Sequence, residues 1–90
     1  MLRISCLETS DRDLTLRLEG RVVGPWVEEL RRAYEDARGR GAHVTLDLGD
    51  VLFLDRDAIA LLRTWIDQDV SVRHCSPFVT EQLRDARVAG

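Results

Sequence analysis

The chain has 90 residues, 44% of them hydrophobic, and carries 13 basic against 16 acidic side chains for a formal net charge of −3. A chain of this length buries only about 60 to 65% of its unfolded surface, so residues 1–90 suit one small domain with little interior left for an enclosed catalytic cleft. The acidic balance removes the general attraction to phosphate backbones, and no nucleic-acid partner is expected.

Two cysteines, Cys6 and Cys75, are too few and too far apart to form a disulfide framework. Each is expected to pack as a small hydrophobe in a reducing cytoplasm. No apolar run reaches the roughly 20 residues that cross a bilayer, and the first residues lack the basic-then-apolar order of a signal peptide, so no direct membrane insertion is expected.

Leu2, Ile4 and Cys6 alternate with Arg3 and Ser5, residues 9–13 are polar, and Leu14, Leu16 and Leu18 alternate with Thr15, Arg17 and Glu19. That period of two on either side of a turn predicts a hairpin, with Gly20 closing its second strand. Gly24-Pro25 opens a helix, because proline is tolerated where the first-turn N–H has no partner. Trp26, Val27, Leu30, Ala33, Tyr34 and Ala37 form its buried stripe, and it ends at residues 39–41.

Residues 44–66 organise the rest. Val44, Leu46 and Leu48 alternate with Thr45 and Asp47 as a strand, and a tight loop containing Asp50 follows. Asp55 then caps a helix whose apolar positions are Ala58, Leu61, Leu62, Trp65 and Ile66. After a turn at residues 67–69, residues 70–74 alternate as a short strand. Ser76-Pro77 starts a closing helix with Phe78, Val79, Leu83 and Ala86 as its apolar positions.

The order β-β-α-β-α-β-α predicts an α/β fold with a mixed four-stranded sheet in the order 1-2-3-4. Every strand keeps a polar side, whereas strands covered on both faces read as continuous apolar runs. Helices are therefore expected on one face only, in two layers. The open face would carry Arg17, Asp47 and Arg73 across neighbouring strands.

Chemistry-bearing patterns are sparse. His74 and Cys75 are adjacent and point apart in a strand, so no metal site is expected. Neither cysteine has a histidine at a spacing that implies a nucleophile pair, and Gly39-Arg40-Gly41 reads as a helix stop, not a phosphate cradle. No cofactor is expected. Asp47, Asp50, Asp55 and Asp57 make an acidic cluster, but strand, turn and cap positions give ordinary reasons for the first three.

Leu18-Glu19-Gly20, followed by the run from Leu46-Asp47-Leu48 through Val51-Leu52-Phe53-Leu54-Asp55 into a helix, resembles the STAS domain of bacterial anti-sigma factor antagonists. The resemblance implies a four- or five-stranded sheet with helices wound as a superhelix. It also implies binding to an anti-sigma factor or a related kinase-like regulatory protein. In that family the partner phosphorylates a Ser or Thr directly after the aspartate that Asp55 matches. Here that position is Arg56, followed by Asp57 and Ala58. An acidic residue often found after the second strand is replaced by Val22-Val23-Gly24.

A phosphate at a first helical turn would add about −1.5 to −2 charge beside backbone N–H groups, and Arg56 cannot accept one. Asp57 has two readings, first-turn helix chemistry and partner contact. The expected docking surface comprises Val22, Val23, Trp26, Asp55, Arg56, Asp57, Ala60, Arg63 and Thr64. It holds an apolar patch if the two valines are exposed, and no such patch if they bury under the loop. The leading reading is a non-catalytic binding module. The alternatives are a STAS subunit supporting the ATPase of a membrane transporter and, more remotely, a small carboxylate-based enzyme or ligand-binding protein.

Overall fold

The computed structural model describes residues 2–10, 12–68 and 70–89, with side chains through Arg84. The expected turn residues Asp11 and Asp69 and the expected core side chain of Ala86 lie outside the described set. Seven elements run along the chain: β1 (Leu2–Glu8), β2 (Asp13–Val22), α1 (Pro25–Gly39), β3 (His43–Leu54), α2 (Arg56–Asp67), β4 (Ser71–Arg73) and α3 (Pro77–Ala89). β1 pairs antiparallel with β2, while β2–β3 and β3–β4 are parallel, giving the sheet order β1-β2-β3-β4 that the sequence predicts.

Alternation decides which face is covered. Leu14, Leu16 and Leu18 of β2 and Val44, Leu46 and Leu48 of β3 are buried together with Leu30 of α1, Leu62 of α2 and Val79 of α3. Each fully buried leucine contributes about 1.5 to 3 kcal/mol relative to an exposed one. Tyr34 of α1 stacks on Trp65 of α2 with ring centroids 4.0 Å apart, which ties the two crossover helices to each other. The opposite side of the sheet carries Arg3, Arg17 and Arg73, all exposed. No described side chain that is buried is polar or charged.

The central strands are longer than the sequence predicts. β2 runs past Gly20 to Val22, and β3 runs through the expected loop to Leu54, so Asp50 lies in a strand and not in a turn. Register shifts between Arg17 and Glu19 and between Gly20 and Arg21 allow the pairing to continue, and Gly20 supplies a φ of 110° that glycine adopts without a Cβ clash. These irregularities space the buried residues Val51 and Leu54 three apart. A strand whose alternation is broken does not show in periodicity.

The same shifts redirect the charges on the open face. Arg17, Asp47 and Arg73 do share a register row. The close ion pair, however, is between Arg17 Nη2 and Asp50 Oδ2 at 2.7 Å. Asp47 instead accepts the Gly49 N–H at 3.0 Å and lies 3.2 Å from His74 Nδ1. Those contacts, led by the Gly49 hydrogen bond, hold the Asp47 carboxyl below its ordinary value. Asp50, and to a lesser extent Glu19, push the Arg17 guanidinium up.

β4 is confined to three residues because His74 turns the chain away with a φ of 58°. Beyond Asp47, no strand among the described residues covers the outer edge of β3. At Leu54, α3 substitutes with a side chain: Gln82 Oε1 accepts the Leu54 N–H at 3.2 Å, and Gln82 Nε2 donates to the Leu54 carbonyl at 2.9 Å. Two core expectations are corrected. Cys6 is exposed because α1 does not reach over the middle of the edge strand, and Phe78 is 54% exposed, its ring 6.4 Å from that of Phe53.

Candidate docking site

Parallel strands end together, so the connections that follow β2 and β3 emerge side by side. Val22 and Leu54 are register partners. The Asp55 N–H donates to the Val22 carbonyl at 3.1 Å, which continues the ladder by one bond. Asp55 then uses both carboxylate oxygens. Oδ1 accepts the Ala58 N–H at 2.8 Å and caps α2, as its position predicts, while Oδ2 accepts the Gly24 N–H at 2.8 Å. Gly24 is the residue before α1 and has a φ of 54°, a conformation that favours glycine. One side chain thus holds the starts of both crossover helices at a fixed separation.

Outside this clamp lies an open groove of about 510 Å³ between the two helices, lined by Gly24, Glu28 and Arg31 on the α1 side and by Asp57, Ala60 and Thr64 on the α2 side, with Val27 and Leu61 in its wall. Arg31 Nε is 3.2 Å from Glu28 Oε2 on the α1 wall, and Asp57 supplies a negative charge on the α2 wall. Arg56 and Asp57 are exposed in the first turn of α2. Ala60 and Thr64 are also exposed, and the Thr64 hydroxyl donates to the Ala60 carbonyl at 3.0 Å. The site therefore offers mixed charge around a shallow apolar wall, and among the described residues no three His, Cys, Asp or Glu side chains converge on a metal position.

Four of the expected docking residues sit differently. Val22 is completely buried, because it is the last residue of β2 and faces the core. Val23 and Trp26 are half-buried, with Trp26 packed against that core, so no exposed valine patch forms. Arg63 is half-buried as well, and its Nη1 donates to the Leu83 carbonyl of α3 at 3.5 Å, so it faces α3 and not open solvent. Glu28 and Arg31 join the groove although the sequence does not single them out: their spacing from Gly24 places them on one helix side, but which side faces α2 is set by the packing of the two helices.

No protein-family model matches the sequence, and no curated protein matches it. Among solved structures, the fold is similar to that of the anti-sigma factor antagonist SpoIIAA in its unphosphorylated form, with a TM-score of 0.60 and 16% sequence identity. The match covers 73% of this chain and 62% of that one, so this chain spans less than two thirds of that structure's length. The shared architecture is the mixed four-stranded sheet with three helices, a STAS-like fold. No helix among the described residues is long and apolar enough to cross a membrane.

Proposed function

We propose that this chain is a non-catalytic regulatory module of bacterial transcription control. It binds an anti-sigma factor, or a related kinase-like regulatory protein, through the start of α2, the turn before α1 and the groove between them. The observation that carries this reading is the double acceptance by Asp55, which makes two helix starts one preorganised surface. The fold's likeness to an anti-sigma factor antagonist supports the choice of partner class.

Arg56 stands where relatives of this kind carry the phosphate acceptor, so binding is not released by modification at that position. Asp57 supplies a permanent negative charge in the first turn, which the helix dipole favours by about 0.3 to 1 kcal/mol. The contact residues are Val23, Trp26, Arg56, Asp57, Ala60 and Thr64, joined by Glu28 and Arg31. Asp55 positions them, and Val22 and Arg63 support them from beneath.

The test is calorimetric titration of the chain against the anti-sigma factors of its own genome, with and without ATP and magnesium, followed by intact-mass measurement. A stoichiometric complex that survives ATP, with the mass of the chain unchanged, supports the proposal. A phosphate mapped to residues 55–64 overturns the phosphate-independent mode, and failure to bind any of those factors overturns the partner class.

A further inference from the structure

The edge of the sheet formed by β1 is unusually open to pairing. Its register with β2 is uninterrupted from Leu2 to Glu8, so no bulge turns it aside, it contains no proline, and its charged residues Arg3 and Glu8 stand near its two ends, leaving residues 4–7 uncharged. Long, flat edges lacking those features are templates for another strand. No strand among the described residues pairs with its outer side.

Beside that edge, on the helix side of the sheet, lies a groove of about 380 Å³ floored by Ile4, Cys6 and Leu16 and walled by Ala33 of α1. Ile4 is only half-buried and Cys6 is exposed, although both belong to the alternating set that faces the core elsewhere. The fold leaves this strip of its apolar face uncovered.

The rim of the groove indicates what covers it. Glu29, Arg32, Asp36 and Arg40 line it at spacings of three, four and four residues, one side of α1 and its cap, with signs in the order −, +, −, +. Turned end for end against itself, this stripe sets Glu29 opposite Arg40 and Arg32 opposite Asp36, every pair being attractive. Both pairings are centred near residue 34, so a single two-fold axis satisfies them together. The salt bridge of 3.4 Å between Arg40 and Glu8 places the end of the stripe over the end of β1. The stripe is about 16 Å long at helical rise and the strand about 20 Å at strand rise, so the same axis falls near the middle of β1, at Ser5 and Cys6.

We infer that β1 and α1 form an isologous interface with a second copy of this chain: two β1 strands pair antiparallel into an eight-stranded sheet, and the two α1 helices run antiparallel above the joint. Ala33 is small enough to let the helices approach, and Cys6 becomes covered beneath them. None of these residues belongs to the docking site proposed above, so the interface stands or falls independently of that reading.

Sedimentation velocity on wild type and three variants at about 100 µM tests this, since modest interfaces dissociate in the micromolar range. Wild type is expected to sediment as a dimer. Arg32→Glu and Asp36→Arg alone each set like charges against each other twice across the axis and should weaken the dimer at least about tenfold. The double variant Arg32→Glu/Asp36→Arg restores opposite signs and should return to within about threefold of wild type. Circular dichroism of each variant monitors folding, and these exposed positions leave the core intact. A monomeric wild type, a dimer indifferent to the single changes, or a folded double variant that stays as weak as the singles overturns the interface.

Discussion

The backbone N–H of Gly24 and the carboxylate of Asp55 lie 2.8 Å apart across 31 positions of sequence, and the other oxygen of the same carboxylate caps α2. A residue that reads in the sequence as a local cap is therefore also the tie between two helix starts. A cap is worth about 1 kcal/mol, and a charge-assisted hydrogen bond to a second N–H adds about 1.5 to 3. Asp55→Ala is expected to lower unfolding stability by about 2 to 4 kcal/mol in urea titrations. Asp55→Asn, which keeps one good acceptor, should lose clearly less. A loss near zero for Asp55→Asn would mean that only the α2 cap matters, since asparagine caps as well as aspartate.

Binding at the groove is best probed where folding is indifferent. Ala60 is exposed and lines the groove, and its side chain has no packing role in the core. Ala60→Arg is expected to weaken partner binding by at least about 1.4 kcal/mol, tenfold, while the melting temperature stays close to wild type. Wild-type affinity for this variant would remove the groove from the docking surface.

Arg63 and Gln82 are expected to behave as structural residues. Arg63 reaches the Leu83 carbonyl of α3, and Gln82 satisfies both backbone groups of Leu54. Gln82→Ala should cost about 1 to 3 kcal/mol, because it strands two backbone groups at a sheet edge. Amide hydrogen exchange at Leu54 should accelerate with it. Arg63→Ala should cost less, about 0.5 to 1 kcal/mol, through loss of one long hydrogen bond and some packing.

Asp47 predicts a pH dependence. Its carboxyl titrates below its ordinary value of 3.8, chiefly through the Gly49 N–H and secondarily through His74. A carboxylate with a lowered folded value contributes stability that is complete above the unfolded value and is lost as pH falls through the folded one. Asp47→Asn is therefore expected to cost about 1 kcal/mol at neutral pH, a figure already reduced for the partial exposure of the site. The gap to wild type should close below about pH 4 in acid titrations of stability. A gap that persists at acid pH would assign the cost to packing and not to charge.

Much of the architecture was legible because period-two and helical spacings are local. The hairpin turn, Pro25 at the start of α1, the Asp55 cap and the Ser76 cap, whose hydroxyl accepts the Val79 N–H at 3.2 Å, all follow from short-range chemistry. Strand order and single-sided helix cover follow from alternation and connection length. The far halves of β2 and β3 were not legible, since two register shifts erase the alternation there. Nor was the burial of Val22, because whether it faces the core depends on a strand extension that its own neighbours do not encode.

The sequence by itself determined the element types, the buried stripes and the exposed first turn of α2 at Arg56 and Asp57, because backbone preferences and hydrophobic spacing act over a few residues. Only the tertiary structure decided that Asp55 reaches Gly24, that Arg17 pairs with Asp50 instead of Asp47, that Gln82 closes the edge of β3 and that Cys6 stays uncovered. Each of those depends on where two distant segments come to rest against one another, and a bulge of one residue is enough to move a hydrogen bond from one partner to the next.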